Sequence, residues 1–384
     1  MTRLPNLGDP SRRRVLFVQA TDPSIYPPLI HAGMLMAESG CDVTFLSAPL
    51  AGNQLKLPVH PHVQVRRIHK RPSYVVRKFD YAVYCAEAVR LAFLLRPHVV
   101  YASDPLGSVP GLLVARLAGA RLVYHEHDSP SPGALRSWLA KFRAKVGKSA
   151  DLVIFPNMER AEIVRREIGF PAERLRIVWN LPRRAEQPTS TPKSDMPLVL
   201  WYHGSITPDR LPLTVIEAVA SFGGRVRLQI AGYEAPGASG YINHLLHLAA
   251  QNKEGSFVSY IGQIARQDLL ERASGAHVGI AFMPPGSTDI NMQHMTGASN
   301  KAFDYMAAGL ALMVSDLPDW RAMFVDAGYA LACDPRSTHS IASLLSWFID
   351  HPDTLRKMAA KARAKVAAEW NYESAFAPIL SYFG

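Results

Sequence analysis

A lysine and an aspartate stand three residues apart at the start of a short helical pattern, and together they could bind a diphosphate and a sugar. Lys301 and Asp304 belong to the segment NKAFDYMAAG (300–309), where Ser299 or Asn300 can cap the helix and Gly309 can end it. A helix N-terminus attracts anions, and Lys301 adds a full positive charge there. Asp304 lies on the same face and could accept two hydrogen bonds from a ribose diol. An ordinary surface ion pair has the same spacing, and the spacing alone favours that simpler interpretation.

The chain lacks the sequence motifs of several common enzyme classes. No G-x-G-x-x-G follows the first predicted strand, and neither G-x-x-x-x-G-K-[ST] nor G-x-S-x-G occurs. No Asp-x-Asp pair is present, and the three cysteines are too widely spaced to form a metal-ligand pattern. These absences argue against a dinucleotide cofactor, a P-loop, a hydrolase nucleophile elbow and a bound metal.

Two series of short apolar runs alternate with helical patterns along the chain. The first series extends from RVLFVQA (14–20) to RLRIVWN (174–180), and the second from PLVLWYHG (197–204) to LALMVSD (310–316). This alternation is typical of βαβ units around parallel sheets. Between the two series, the segment 181–196 is rich in Pro, Ser and Thr and is typical of a linker.

These elements predict an α/β chain with two doubly wound, Rossmann-like domains, since 384 residues are too many for one ordinary core. We expect the domains over residues 1–184 and 185–368, and a C-terminal helix over 369–384 that returns toward the first domain. Ligands bind such sheets at the carboxyl ends of their strands. The main site is therefore expected in a central cleft that both domains face.

The net charge of +10 comes from the first half of the chain. Residues 1–184 contain 27 Lys and Arg against 14 Asp and Glu, whereas residues 185–384 contain 15 against 18. A basic first half predicts an acidic partner such as anionic lipid, a phosphorylated acceptor or nucleic acid. Basic and aromatic residues do not interleave as in nucleic-acid-binding proteins, which argues against nucleic acid. The sequence contains no apolar run of about 18 residues. Its three widely spaced cysteines suggest no disulfide framework, so we expect a cytoplasmic protein.

The segment GALRSWLAKFRAKVGKSA (133–150) combines apolar residues at helical spacing with five Lys and Arg and no acidic residue. Its simplest interpretation is a helix that covers the sheet. The alternative is an interfacial helix on anionic lipid, and the basic charge of the first half favours this alternative. This interpretation predicts peripheral binding to the inner face of the plasma membrane.

Several segments together resemble the retaining glycosyltransferases of family 4, which have the GT-B fold of two Rossmann-like domains. The stretch NKAFDYMAAGLALMVSD (300–316) is similar to their nucleotide-sugar-binding segment, and WYHGSITPDRLPLTVIEAV (201–219) to their glycine loop and the helix after it. In the first half, YASDPLGSVPGLLVARLAGARLVYHEHD (101–128) is similar to their acceptor-side domain. The resemblance covers nearly the whole chain, and the motifs come in the family's order.

The resemblance implies transfer of a sugar from a nucleoside-diphosphate sugar to a hydroxyl, with retention and without a metal or cofactor. Arg210 and Lys301 would stabilise the leaving diphosphate, and Asp304 would hold the ribose. With a lipid-binding first half, the acceptor would be a glycan linked to a lipid. The donor-side residues that the resemblance implies are Gly204, Ser205, Arg210, Asn300, Lys301 and Asp304.

On the acceptor side, the resemblance places His127 against the transferred sugar. A plain structural interpretation is that His127 and His125 face one way and bond to loop backbone. Asp104 also ends a predicted strand, where it either lines the cleft or caps the next turn. Asp22 is a weaker candidate, because the loop around it lacks the glycine-rich turn that is usual in the family.

One departure from the family's pattern leaves a second function open. The family often has two glutamates eight positions apart, and here Thr296 stands at the first position and Asp304 at the second. The side chains near 287–298 that would contact the sugar therefore stay unassigned. A catalytically inactive relative that binds a nucleotide sugar or a partner is the alternative to an active transferase.

Overall fold

The computed structural model describes residues 11–47, 58–68, 77–130, 135–189, 196–235, 237–251 and 257–383, and these form two compact units. The first unit comprises the described residues up to Asn180, the segment Asp289–Ala298 and the residues from Ala375 onward. The second unit comprises Leu181–Thr288 and Ser299–Ser374. Part of the predicted linker, 190–195, and the first two residues of the predicted helix 133–150 lie outside the described residues.

The first unit contains a parallel sheet of seven strands in the order β3-β2-β1-β4-β5-β6-β7. Its strands are short and rich in Val, Ile, Leu and aromatic residues, as expected for a sheet that is covered on both faces. They are β1 (Arg13–Gln19), β2 (Cys41–Ser47), β3 (Val63–Arg67), β4 (Val99–Ser103), β5 (Arg121–His125), β6 (Leu152–Phe155) and β7 (Leu175–Ile177).

Helices cover the first sheet according to the direction of its crossovers. The connections from β3 through β7 all run one way across the sheet, so the right-handed rule places their helices on one face and the helix after β1 on the other. The helices are α1 (Pro27–Glu38), α2 (Arg77–Leu95), α3 (Asp104–Ala118), α4 (Ser137–Ser149) and α5 (Met158–Ile168).

The rest of the chain has a second parallel sheet in the order β10-β9-β8-β11-β12-β13. The strands are β8 (Leu198–Ile206), β9 (Val226–Glu234), β10 (Val258–Tyr260), β11 (Val278–Ala281), β12 (Ala311–Ser315) and β13 (Ala330–Cys333). The helices are α6 (Leu213–Ala220), α7 (Tyr241–Ala250), α8 (Arg266–Ala273), α9 (Ile290–Gln293), α10 (Asn300–Ala307), α11 (Pro318–Trp320), α12 (Thr338–Asp350), α13 (Pro352–Ala368) and α14 (Tyr372–Phe383).

Two parallel Rossmann-like sheets confirm the predicted fold class, but the division of the chain differs from the expected one. The units divide after Asn180 rather than after 184, because the chain from Leu181 packs with the second unit, where Pro182 accepts a hydrogen bond from Tyr372. The segment Asp289–Ala298, expected in the second domain, packs with the first unit. Strand β13 was not predicted, since its four residues, ALAC, have little β propensity.

The basic segment 133–150 forms helix α4, and one of its charges is in the interior. Arg143 is only 1% exposed, and its Nε and Nη2 donate to the Glu126 carboxylate at 2.8 and 2.6 Å. Its Nη1 donates to Glu167 at 2.9 Å. The expectation that all five basic residues could face a membrane is therefore wrong for Arg143, which pairs with a buried carboxylate. No helix in the described part of the chain is long and apolar enough to cross a bilayer.

Replacing Arg143 should destabilise the protein strongly, because Glu126 would keep a buried charge without its partner. We expect Arg143→Met to lower the free energy of unfolding by about 3–5 kcal/mol in urea titrations. Arg165→Met, which removes a partly exposed pair with Glu162 in the same unit, is the control and should change stability little. A loss at Arg143 no larger than in the control would contradict this interpretation.

Candidate functional site

The carboxyl end of β8 has a main-chain conformation that only glycine tolerates. Gly204 has a φ of +105°, and a Cβ at this position would lie 3.1 Å from both Cε and Nζ of Lys301. A Cβ on Gly232 of the neighbouring strand would collide with the Gly204 carbonyl oxygen. The two glycines therefore let the strands approach closely and let the lysine head lie against the main chain.

Lys301 is a buried cation at the start of α10. Its side chain is 5% exposed, and its ammonium has no hydrogen bond or ion pair with any described residue. The ring of Tyr202 lies 5.8 Å from Nζ. Burial, and secondly the charge of Arg210, hold the pKa of Lys301 well below its usual value. A buried cation without an anion is costly, so this position is suited to an anion that comes from outside the protein.

Arg210 and Ser205 lie next to this cation. Arg210 Nη1 donates to Ser205 Oγ at 2.6 Å, and the Arg210 main chain closes a turn onto Thr207. The structure thus brings together Gly204, Ser205, Arg210 and Lys301, four residues that the sequence predicts to bind the diphosphate. Two cations, a helix N-terminus and open main chain can hold a diphosphate without further groups.

Asp304 lies in a different environment from the one that the sequence predicts. Its carboxylate is fully buried and receives two hydrogen bonds from Arg266, at 2.6 and 2.7 Å. Nδ2 of Asn300 donates to it at 2.9 Å, and Nε2 of His203 lies 3.2 Å away. Burial opposes ionisation, but Arg266 and His203 hold the pKa of Asp304 below its usual value. In this arrangement the Asp304 carboxylate and the Asn300 amide nitrogen bond to each other within the protein.

Arg266 is the residue that sequence reasoning missed here. It also bonds to both carboxylate oxygens of Glu186, at 2.8 and 2.9 Å, and so joins two acidic side chains. Arg266 starts helix α8 in the segment ARQDLLERA, where a basic residue is typical of a solvated face. No local pattern distinguishes it, because its partners are 38 and 80 residues away.

In the first unit, His127 is buried with both ring nitrogens unbonded within the described part of the chain. Its ring lies 3.8 Å from that of His125 and 5.6 Å from that of Tyr26. Burial lowers the pKa of His127 to about 3, so the imidazole is neutral. The two histidines do lie side by side, but the His127 ring does not bond to loop backbone. Its free ring nitrogens can instead hydrogen-bond to a hydroxyl-rich ligand.

Asp104 supports the His127 strand end rather than the turn that follows it. Its carboxylate accepts from the His127 amide at 2.8 Å and from Nε2 of Gln19 at 3.3 Å. Its φ of +57° is a strained conformation for a residue other than glycine. Burial, and secondly the charge of Asp128, raise the pKa of Asp104 to about 7.

Asp22 caps a short helical turn by accepting from the Ser24 amide at 2.9 Å, and it pairs with Arg67 at 2.8 Å. Burial opposes ionisation, but the hydrogen bonds from Arg67 and Ser24 hold its pKa below the usual value. A plain structural role accounts for these contacts. No group of three or more His, Cys, Asp or Glu in the described ranges could hold a metal ion.

Two family models match this chain. A model described as Glycosyltransferase Family 4 matches residues 32–181, and one described as Glycosyl transferase-like matches residues 214–381. A curated relative from Xanthomonas euvesicatoria pv. vesicatoria is 33% identical over 172 residues, 42% of this chain and 39% of the relative. That relative is the UDP-N-acetylglucosamine--N-acetylmuramyl-(pentapeptide) pyrophosphoryl-undecaprenol N-acetylglucosamine transferase. The match thus spans about two fifths of its length.

Solved structures share the fold over nearly the full length of the chain. Anabaena HepE in complex with UDP and glucose has a TM-score of 0.69 at 16% identity, covering 97% of this chain and 99% of that one. Sucrose-phosphate synthase from Thermosynechococcus elongatus has a TM-score of 0.73 at 14% identity, covering 97% and 98%. At these identities the likeness shows the fold, and the site must carry any further inference.

Burial of the Lys301 ammonium should affect the stability of the protein in the absence of any ligand. The unfolded chain binds the Lys301 proton more readily than the folded chain, so stability from this residue rises with pH between the lowered pKa and about 10.4. We expect Lys301→Met to raise the thermal midpoint at pH 7, and we expect the difference from the unmodified protein to shrink as the pH approaches 10. Calorimetry at both pH values measures this.

Lys357→Met, at an exposed position on α13, is the matched control and should show no such pH dependence. A Lys301→Met protein that is less stable at every pH would mean that the ammonium has an internal partner after all.

Proposed function

We propose that this chain is a glycosyltransferase of the GT-B fold and the family 4 type, which transfers a sugar from a nucleoside-diphosphate sugar to a hydroxyl acceptor. The observation that carries the proposal is Lys301, a buried ammonium without an internal anion beside the open main chain of Gly204. A donor diphosphate has the charge and size to fill this position. Arg210 adds the second cation. Ser205 adds a hydroxyl group that accepts a hydrogen bond from Arg210.

In the proposed reaction the protein stabilises the leaving diphosphate as the bond between the sugar and the phosphate breaks. Negative charge grows on the phosphate oxygens, and fixed cations that are already in place lower the barrier most effectively. Two such cations are enough to balance this charge, so the proposed mechanism uses neither a metal nor a cofactor. We propose retention, with a phosphate oxygen of the leaving group taking the acceptor proton on the same face of the sugar.

The remaining predicted residues have indirect or acceptor-side roles in this proposal. Asp304 and Asn300 position the start of α10, where Lys301 lies, through their bonds to each other and to Arg266. His127 contacts the transferred sugar through its unbonded ring nitrogens, and Asp104 holds the His127 main chain for this contact. Asp22 has no part in the reaction beyond shaping its loop.

The alternative is a catalytically inactive relative that binds the same ligand. Thr296 in place of the family's first glutamate favours this alternative, because a sugar-contacting acid is lost. A thermal-shift screen against nucleoside diphosphates and their sugars identifies the ligand. Release of free nucleoside diphosphate from the sugar donor then separates an active transferase from a protein that only binds.

Donor binding should be linked to proton uptake by Lys301. A diphosphate stabilises the ammonium, so affinity should be full below the lowered pKa of free Lys301 and should fall as the pH rises through it. A nucleotide sugar is a suitable probe, because its phosphates do not titrate near neutral pH. Calorimetry in two buffers of different ionisation enthalpy measures the uptake.

We expect Lys301→Met and Arg210→Met each to weaken donor binding by roughly 10- to 100-fold, the value of a charge-assisted hydrogen bond. Lys301→Met should also abolish the proton uptake, whereas Lys357→Met should leave both quantities unchanged. Unaltered affinity in both site variants would place the diphosphate elsewhere.

For the acceptor we propose a lipid-linked glycan at a cytoplasmic membrane surface. The curated relative acts on a pyrophosphoryl-undecaprenol substrate, and the first half of this chain is strongly basic. On α4, Lys141, Lys145 and Lys148 are exposed, and the exposed ring of Trp138 precedes them. Arg143 is not part of this set, because it is buried against Glu126.

Exposed apolar side chains occur on α4 and on the helices that adjoin its first turn. The Tyr81 hydroxyl donates to the Leu106 carbonyl, and the rings of Tyr81 and Trp138 are 6.0 Å apart, so the first turns of α2, α3 and α4 meet. Phe79, Leu106 and Trp138 are 63%, 42% and 41% exposed there. Aromatic and aliphatic groups next to lysines are suited to the interface of an anionic bilayer.

Removing two of these lysines should weaken vesicle binding. At about 1 kcal/mol per basic residue, Lys141→Gln with Lys145→Gln should lower the partition coefficient for phosphatidylglycerol vesicles about 30-fold in cosedimentation. The matched control changes Lys357 and Lys361, which have the same spacing on an exposed face of α13. Equal losses in both variants would indicate that only the total charge matters, and no loss would make α4 an ordinary sheet-covering helix.

A further inference from the structure

The segment Asp289–Ala298, which we call the strap, packs with the first unit although it lies between β11 and α10 in sequence. Strand β11 and helix α10 both belong to the second unit. The strap includes Thr296, the position of the missing glutamate. The question is what holds this segment in place, because its sequence, DINMQHMTGA, has no apolar periodicity that would bury it.

One buried arginine makes three polar contacts with the strap. Arg160, on α5, is 1% exposed, and its Nε donates to the His294 carbonyl at 2.9 Å. Its Nη2 donates to the Asn291 carbonyl at 2.6 Å and lies 3.0 Å from the Met295 sulfur. The planar guanidinium has donors at fixed angles, so these contacts fix two points of the strap relative to α5.

The same guanidinium also holds the strand end that carries His127. Arg160 Nη1 donates to the His127 carbonyl at 3.0 Å. The strap binds this loop independently as well, because Asn291 exchanges two hydrogen bonds with the Ser129 main chain, at 2.8 and 2.7 Å. One side chain therefore fixes the position of His127 and of the strap together.

Two asparagines complete the attachment of the strap. Asn157, the N-cap of α5, donates to the carbonyls of His294 and Thr296 at 2.7 and 3.1 Å. Asn180 donates to the Gly297 carbonyl from its main chain and to the Ala298 carbonyl from its side chain, at 2.7 and 2.6 Å. The strap is thus held through its main chain up to Ala298, three residues before Lys301.

We propose that Arg160 is a positioning residue for sugar transfer. It acts through the His127 main chain and the strap, and it fixes the imidazole that faces the transferred sugar. This role rests on the proposed function. Lys301 itself is held by the packing of α10 and by the bonds from Asp304 to Arg266, so loss of Arg160 should affect catalysis much more than diphosphate binding.

The test compares Arg160→Met, Arg160→Lys and the control Arg165→Met, a partly exposed position on the same helix. For Arg160→Met we expect turnover of the sugar donor, followed as release of nucleoside diphosphate, to fall about 100-fold, with the donor KM and the Kd of UDP within threefold of the unmodified protein. Arg160→Lys should recover part of the turnover, because an ammonium can still bind one or two of the carbonyls. Arg165→Met should behave as the unmodified protein.

Hydrogen exchange gives a second measurement that does not depend on activity. In Arg160→Met, peptides that cover the strap and residues 125–129 should exchange at least about tenfold faster, whereas peptides of the second sheet stay protected. If Arg160→Met does not fold, Arg160→Lys and Asn180→Ala carry the same comparison.

Turnover within threefold of the unmodified protein in folded Arg160→Met, or equal losses of turnover and UDP affinity, would overturn the positioning role. If the unmodified protein neither binds UDP nor any other nucleoside diphosphate, the proposed function fails, whereas faster exchange in the strap would still establish its attachment by Arg160.

Discussion

The site depends on the cost of keeping a lysine ammonium away from water without an internal counterion. Such a group is unfavourable in a protein interior, and a chain retains it only where surrounding structure enforces it. Here a glycine with positive φ leaves room for the lysine head, and the helix that carries Lys301 is anchored in the core. Folding therefore places the lysine head in advance of binding, and an anion that binds there stabilises its charged form.

A second charge network keeps that lysine uncompensated. Asp304 is only three residues away on the same helix and would be its natural partner, but Arg266 bonds to both oxygens of that carboxylate. Glu186 balances Arg266 in turn. The acid nearest to the cation is thus occupied, and Lys301 stays available for a ligand. At position 304 this chain departs from the family's pattern, because an aspartate side chain is one methylene shorter than a glutamate side chain.

The fold and half of the site could be predicted from the sequence, and the reasons differ by residue. Strand and helix periods are local, so the two parallel sheets follow from the pattern. The grouping of Gly204, Arg210 and Lys301 follows from the resemblance. The partners of Asp304, Arg143 and the strap are long-range, because each joins elements that are far apart in sequence. The residue type alone does not show whether an arginine is buried or solvated, and only the packed structure distinguishes the two cases.

The manner in which the strap is held has a consequence for how this chain can change over evolution. Arg160, Asn157 and Asn180 bind carbonyl groups, which every amino acid carries, and so they place few demands on the strap's own side chains. Substitutions along the strap can accumulate without detaching it, as long as the chain length, Asn291 and the glycine at 297 are kept. A lineage could therefore alter the substituents next to His127 and acquire new sugar or acceptor preferences while its scaffold stays intact.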